Sequence, residues 1–416
     1  MTAHALQKKL VPVLFASLFL TACGGGGDSD NSSGTTDASD NTQNDNVAEP
    51  VTSDPITSAP IIATPDDQEG DAGDGSVNET DEPVDNNAQA ALSANNQFSL
   101  ARTSCGLNGL SVDTDLDDIA IKHANYIKYA FANSSPTSFN AHFENEISDI
   151  AQVTGTNNPF FGGLDLADRL INADYRNSQY GVTENIAQSV YYSSAGNFLS
   201  TDMVARFMAK SLLAAPYHLR SLMLPTSSMV GTGMVTYKPH DKNSTNNQGY
   251  VLVSHASATK TTVDKTFSGI FTYPCQDVTD TVTALYNETP NPLKGTGRNL
   301  RTDPIGQPIY IGMPSAEKIK VSNIRVQDVQ RNITVPIQLL DFDNDPYLNT
   351  TYALPENEAF ILPLTDALKS CETGTNKGGN CGLYGNSQYR VSFDVLVDNK
   401  SLKSKSFTFT TGDVNY

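Results

Sequence analysis

Three short segments place ionisable side chains beside aromatic, apolar or turn residues. They are Ala141-His142-Phe143-Glu144, Thr183-Glu184-Asn185-Ile186-Ala187 and Pro216-Tyr217-His218-Leu219-Arg220. Together they would offer two imidazoles and at least one carboxylate to a single cleft. Side chains of these types suit a divalent-metal site or acid/base work near neutral pH.

Helices are predicted around these segments. Residues 113–131 repeat apolar side chains at a spacing of three to four, which indicates an amphipathic helix. A second helix is predicted at 164–174, and a third begins after Ser200-Thr201. Pro216 should end or kink that third helix, which would place His218 just after the break.

The rest of the chain is predicted to be rich in strands. Met229–Tyr237, Tyr250–Ala256 and Gly269–Tyr273 follow the helices, so residues 98–276 are predicted to form an α+β domain. Further on, strand-like runs between turn residues favour an all-β sandwich over residues 285–416. Those runs are Ile309–Met313, Ile319–Val326, Ile333–Leu340, Ala359–Leu362, Tyr389–Val397 and Ser406–Thr411.

The N-terminus has the pattern of an export and lipidation signal over residues 1–23. Two lysines precede an apolar run of 11 residues, Leu10 to Leu20, which is too short for a membrane-spanning helix. Leu20-Thr21-Ala22-Cys23 is typical of a bacterial lipobox, so Cys23 is the expected lipid anchor; an ordinary cleaved signal is the alternative. Gly24 after the cysteine resembles lipoproteins sorted to the outer membrane of Gram-negative cells, which predicts an outer-membrane or cell-surface location.

Acidic charge is concentrated in the segment that follows. Residues 24–97 hold 16 of the 46 acidic residues and none of the 27 basic ones, whereas residues 98–416 have a net charge of only −5. Such a polar, acidic segment buries too little apolar surface to order itself, and we expect a disordered tether. No basic patch is present, so nucleic acid is not an expected partner.

Four cysteines remain beyond Cys23. An oxidising compartment favours disulfides, and three pairings are open. We favour Cys105–Cys275, which joins the ends of one domain, and Cys371–Cys381, which closes a Gly/Asn-rich loop; free thiols are the alternative.

The first domain resembles the CAP superfamily of cysteine-rich secretory, antigen 5 and pathogenesis-related proteins. The resemblance covers about residues 100–275. It is carried by Leu107-Asn108-Gly109-Leu110, His142, Phe161-Gly162-Gly163, Arg169, Tyr175, Glu184-Asn185-Ile186-Ala187, Pro216-Tyr217-His218-Leu219-Arg220 and Val230-Gly231-Thr232-Gly233. It implies an α-β-α sandwich with a central cleft.

The resemblance also implies a ligand set. In the family, two His and two Glu line the cleft, and several members bind a divalent metal through the imidazoles. His142, Glu184 and His218 transfer by motif, so His142 and His218 are the expected ligands of a metal such as zinc. Glu144 is the candidate for the second glutamate, and His255 is the alternative to His218.

Structural roles compete with these functional ones. Glu184 could hold backbone amides, and His123 is expected to be a packed or surface residue. Alternate carboxylates at 341, 343 and 345 suit calcium, but the run lacks the Gly and distal Glu of an EF-hand loop, so an acidic turn is favoured.

The C-terminal region resembles bacterial Ig-like modules. Pro290-Asn291-Pro292-Leu293, Pro308-Ile309-Tyr310-Ile311 and Phe407-Thr408-Phe409-Thr410-Thr411-Gly412 carry this resemblance. It implies a spacer or adhesive role without catalysis.

Three functions follow from these features. The favoured one is a surface lipoprotein whose cleft binds a divalent metal, a lipid or another small hydrophobic or envelope-derived ligand. The second is a metal-dependent hydrolase of peptide or peptidoglycan, and the third is an adhesive or structural surface protein. The absence of a Gly-x-Ser-x-Gly motif favours binding over catalysis.

Overall fold

A computed structural model describes residues 15–23, 87–263, 267–373 and 376–415 of the chain, with the backbone alone described for residues 15–23. The helices are α1 (Asn87–Ser104), α2 (Thr114–Asn133), α3 (Leu166–Asn172), α4 (Thr201–Leu212), α5 (Pro216–Leu222) and α6 (Lys260–Val263). The strands are β1 (Phe15–Cys23), β2 (Ser111–Val112), β3 (Val182–Tyr192), β4 (Ser227–Tyr237), β5 (Asn247–Ala258), β6 (Phe271–Tyr273), β7 (Val278–Thr281), β8 (Ile309–Gly312), β9 (Ile319–Asp328), β10 (Ile333–Val335), β11 (Ile337–Asp341), β12 (Glu358–Pro363), β13 (Gln388–Val397) and β14 (Ser401–Thr411).

A five-stranded sheet organises the first half of the described chain. Its strand order is β1-β3-β5-β4-β2; the neighbours from β1 to β4 are antiparallel, and β2 is parallel to β4. Successive side chains of a strand point to opposite faces. On β3, Ile186 therefore packs with α2 in one core cluster, while Ala187 packs with α1 and α4 in another.

Two glycines let α2 approach the sheet. A Cβ at Gly231 would lie 2.3 Å from Leu116, and one at Gly233 would lie 2.4 Å from the backbone of Ile121. Any larger residue would push the helix off β4, which is the physical reason for the Val-Gly-Thr-Gly pattern of this strand.

Two further sheets form the C-terminal region. Their orders are β10-β9-β13-β14-β7 and β11-β12-β8-β6, and apart from the parallel β14–β7 pair their neighbours are antiparallel. The described residues after 263 contain no helix. The molecule is therefore a mixed α and β domain followed by an all-β region, as the sequence predicts.

Both favoured disulfides are present. Cys105 bonds to Cys275, and Cys371 bonds to Cys381. The first ties the end of α1 to the residues that follow β6.

Most predicted elements are confirmed, with differences at α1, β3, α5, β6 and Pro336. Strand β3 was not predicted, and Pro336 divides the predicted strand Ile333–Leu340 into β10 and β11. Strand β6, predicted to belong to the first domain, pairs with β8 in a sheet of the C-terminal region. Helix α1 begins at Asn87, inside the segment predicted to be a disordered tether, because a stripe of alanines and Phe98 is buried against the sheet. Residues 24–86 lie outside the described residues. The third predicted helix, α4, does end before Pro216, at Leu212, and Pro216 then starts the separate helix α5, as its fixed φ suits the first helical position.

The predicted signal segment is described only in part. Residues 15–23 form β1, which pairs with β3 so that Cys23 lies opposite Glu184. Removal of residues 1–22 would take most of this edge strand away. No helix within the described residues has the length and apolarity needed to cross a bilayer.

Candidate functional site

Glu184 is the centre of a buried polar network on the α2 face of the sheet. Its Oε1 accepts a hydrogen bond from His142 Nδ1 at 2.9 Å. Its Oε2 accepts from Arg169 Nη2 at 2.6 Å and from His255 Nε2 at 2.9 Å. His255 is the residue directly opposite Glu184 on β5. Both carboxylate oxygens are therefore occupied.

A second carboxylate, Glu144, lies beside the first. Its Oε1 is 2.6 Å from His123 Nδ1, and Oε2 accepts from the backbone N–H of Gly162 at 2.5 Å and of Gly163 at 3.3 Å. His123 Nε2 donates to Ala141 O at 2.7 Å. The candidate Glu144 thus joins the group that contains Glu184.

Arg169 and burial set the charges of this network. Burial alone would raise the pKa of the Glu184 carboxyl, but the Arg169 guanidinium and the three histidines outweigh it and hold the pKa well below its usual range. Burial, reinforced by Arg169, lowers the pKa of His123. Glu184 is consequently an ionised carboxylate that is poorly suited to accept a proton in catalysis.

The network fixes two loops against each other. Glu144 N donates to Leu164 O at 2.9 Å, and Arg169 Nη1 donates to His142 O at 3.3 Å. Gly163 has φ +155°, and a Cβ there would lie 2.7 Å from Asp168 Cβ, so only glycine fits this turn. The segments that carry His142 and Glu144 are thereby held next to residues 162–164.

His218 lies elsewhere, which corrects the expectation of a common cleft. It is on α5, and α5 packs on the sheet face that carries Asn185, whose Oδ1 accepts from Ser221 Oγ at 2.5 Å. Neighbouring residues of a strand face opposite sides, so Asn185 and Glu184 point apart. His142 and His218 are on opposite faces of the sheet and do not form a pair.

His218 instead faces a glutamate of the C-terminal region. Its Nδ1 is 3.4 Å from Glu288 Oε1, which also accepts from Tyr217 N at 2.8 Å. A second link from the same region is the ion pair between Arg220 Nε and Glu358 Oε2 at 2.6 Å. Helix α5 is thus held to the all-β region by two glutamates.

The two expected metal ligands, His142 and His218, are not brought together. A two-histidine set would need His142 with His218, and the sheet separates them. The alternative His255 uses Nε2 to bond Glu184 rather than presenting that nitrogen to an ion. Across the residues that the structure describes, no three His, Cys, Asp or Glu side chains are grouped to hold a metal ion.

Comparison with known proteins identifies the domain that holds this network. Residues 95–256 match the family model named CAP, Cysteine-rich secretory protein family. Residues 95–256 are a CAP domain. A search of curated proteins found no significant match to the chain.

The buried polar network around Glu184 is called the CAP network below. Three of its members, Arg169, His255 and His123, were not among the favoured site residues of the sequence prediction. Arg169 is part of the sequence resemblance, but its pairing with Glu184 is visible only in the structure. His255 was an alternative to His218. Its place opposite Glu184 on β5 makes His255, rather than His218, the histidine that contacts Glu184. His123 is buried, which agrees with the prediction of a packed or surface residue. Its position on the buried stripe of α2 is the sequence feature that could have indicated a place in the network.

The acidic run that starts at the end of β11 forms a turn in which most of the acidic side chains are paired, although Asp341 Oδ1 has no partner among the described residues. Asn344 Oδ1 accepts from Asp341 N at 3.0 Å, and Asp345 accepts from the backbone N–H of Tyr347 and Leu354 at 2.9 and 2.7 Å. Lys318 pairs with Asp343 at 3.2 Å. These contacts support the prediction of an acidic turn over a calcium loop.

Proposed function

We propose that this chain is a lipid-anchored surface protein whose CAP domain binds an amphipathic, envelope-derived ligand. The observation that supports this most is a pair of exposed apolar side chains on the two loops that the network fixes. Phe143 is 41 % exposed and Leu164 is 54 % exposed. Since Glu144 N donates to Leu164 O, their backbones are adjacent. Exposed apolar side chains held next to each other on rigid backbone are typical of a binding surface.

The network supports this binding role better than hydrolysis. A general base needs a free lone pair directed at its proton, and both oxygens of Glu184 already accept hydrogen bonds. The lowered pKa of Glu184 also makes it a weak general base. We assign the network to positioning the Phe143 and Leu164 loops.

The remaining parts of the proposal concern how the domain is presented. Cys23 would carry the lipid, and the acidic segment that follows would hold the CAP domain away from an outer-membrane surface. The C-terminal all-β region would act as an Ig-like spacer that clamps α5 through Glu288 and Glu358. Its two largely antiparallel sheets are compatible with such a module.

The binding claim is tested by titrating the full chain with a fluorescent fatty acid, cis-parinarate. We expect saturable binding that weakens about tenfold in the Phe143→Ser/Leu164→Ser double variant, because apolar contact area is lost. Leu402→Ser is the matched control, since Leu402 is 65 % exposed on β14 in the other region. Equal affinity of the double variant and the control would refute the proposed surface.

A further inference from the structure

The outer neighbour of β3 in the CAP sheet is a strand that processing of the chain would remove. Strand β1 pairs with β3 from Phe15 opposite Tyr191 to Cys23 opposite Glu184. All of β1 except Cys23 lies within residues 1–22, the segment predicted to be cleaved as an export signal. Processing at Cys23 would therefore leave β3 without its neighbour on this side.

The backbone groups of β3 alternate between the two neighbouring strands. In an antiparallel sheet, a residue directs its N–H and its C=O to one neighbour, and the next residue directs both to the other. At the start of β3, Gly181 O accepts from Ala258 N at 3.0 Å. At its end, Ser193 N donates to Asn246 O at 2.9 Å. Odd-numbered residues therefore bond towards β5 along the whole strand, since the register between β3 and β5 has no shift.

Even-numbered residues of β3 consequently bond towards β1. They are Glu184, Ile186, Gln188 and Val190, and the residues opposite them on β1 are Cys23, Thr21, Phe19 and Ala16. Removal of residues 1–22 would take away the strand that the N–H and C=O groups of Ile186, Gln188 and Val190 face. A row of unpaired backbone groups at the edge of a sheet is a template for another strand.

The sequence of β3 does not protect this edge. Natural edge strands are blunted by Pro, by Lys or other charges, by bulges or by shortness. Strand β3 is 11 residues long and contains no Pro, Lys or Arg. Its only charged residue, Glu184, is directed into the CAP network, where it pairs with Arg169. The two faces of β3 are covered, with Ile186 packed in the α2 cluster and Ala187 in the α1 and α4 cluster, so only the edge is left to be bound.

We propose that the processed chain binds an extended, mainly apolar peptide segment at this edge, antiparallel to β3. The inference rests on the proposed removal of residues 1–22. Strand β1 shows which chemistry the edge accepts, because it is a run of nine residues in which only Ser17 and Thr21 are polar. It lies there as a single strand beside α5, which is the space that a peptide needs. In recognition by strand addition, main-chain hydrogen bonds give affinity and alternate side chains give specificity.

Peptide binding to the processed chain, purified in detergent from membranes, tests the proposal. The probe is a fluorescent peptide with the sequence of Phe15–Cys23, carrying Cys23→Ser and extra lysines at both ends for solubility. Intact mass first establishes whether residues 1–22 are removed, and fluorescence anisotropy then measures binding, which we expect to be saturable.

The outcomes separate this inference from the proposed function. A chain that keeps residues 1–22 would contradict the lipid anchor and the open edge together. A chain that lacks residues 1–22 and shows no saturable binding would overturn the inference alone. A processed chain that forms dimers and leaves the peptide unbound would also overturn it, and would assign the edge to a second copy.

Two matched peptides test the bonding pattern. N-methylation at Phe19 and Thr21 removes the N–H groups that face β3, and the affinity should fall about tenfold or more. N-methylation at Leu20 and Ala22 changes N–H groups that point away from β3, so the affinity should stay within about threefold. Both peptides have the same composition, so partition into detergent does not distinguish them. Equal affinities of the two peptides, or the reverse order, would contradict strand addition.

Discussion

The molecule buries two glutamates in opposite ways. Glu184 in the CAP domain is fully buried with a guanidinium and imidazoles around it, and its pKa is held well below the usual range. Glu288 in the C-terminal region is almost as buried, but its hydrogen-bond partners among the described residues are backbone N–H groups and one imidazole, and burial raises its pKa well above that range. Burial is shared by both residues, so the presence or absence of a cation decides the charge of each.

The two environments suit different tasks. An ionised, fully paired carboxylate such as Glu184 can hold loops in place, because breaking any contact exposes an uncompensated buried charge. A buried carboxyl that contacts no guanidinium, such as Glu288, can join α5 to the C-terminal region without burying a charge. We therefore assign the support of the two loops to Glu184 and the packing of α5 on the C-terminal region to Glu288.

The largest expected effect comes from removing the cation that distinguishes the two sites. Arg169→Met leaves the Glu184 charge buried without its guanidinium, and we expect a loss of about 3–5 kcal/mol in the free energy of unfolding. Urea unfolding followed by tyrosine fluorescence measures it, since the chain has 17 Tyr and no Trp.

Arg206→Met is the matched control for this variant. Arg206 pairs with Asp202 four residues earlier on α4, at 3.1 Å, and its side chain is 59 % exposed. An exposed pair of this kind is worth less than about 1 kcal/mol. If Arg169→Met were no more destabilising than Arg206→Met, the CAP network would not be the support that we describe.

Replacing Glu288 should have a smaller effect, and at high pH it should raise rather than lower the free energy of unfolding. Its folded pKa is raised, so the stability it contributes is complete below the unfolded pKa of about 4.3 and declines as pH rises towards the folded value. Glu288→Gln does not titrate, and we expect it to exceed the wild type by roughly 1 kcal/mol at pH 8 but not at pH 4. The measurement is the unfolding free energy of both proteins at the two pH values; a wild type that is the more stable protein at pH 8 would contradict this.

Amphipathic elements of the fold were predictable from sequence. The three-to-four spacing of α2 and the cap before α4 placed these helices to within a few residues, and alternating runs placed most C-terminal strands. Helix α1 was not predicted because its buried stripe is mostly alanine among Asn and Ser, which gives a weak apolar signal. Strand β3 was not predicted because its buried positions include Glu, Asn and Gln, which hide the apolar pattern of a strand.

The candidate site was predictable only in part. His142 bonds Glu184, and both were predicted from motifs. Arg169 links Glu184 to Glu144, which was a candidate only because it lies two residues from His142. His218 does not, because one residue of register along β3 changes the face of the sheet, and motif order carries no information on that register. Glu288 gave no sequence signal, since its importance comes from burial against α5, where it accepts from Tyr217 N.

The charge states of Glu184 and Glu288 are the claim on which both assignments depend. They can be read directly from the side-chain carboxyl resonances of the full chain labelled with ¹³C-glutamate, assigned with the Glu184→Gln and Glu288→Gln variants. We predict that near pH 6 Glu184 has the chemical shift of a carboxylate while Glu288 still has that of a carboxylic acid. Two glutamates that titrate together near the ordinary value of about 4.3 would contradict the account.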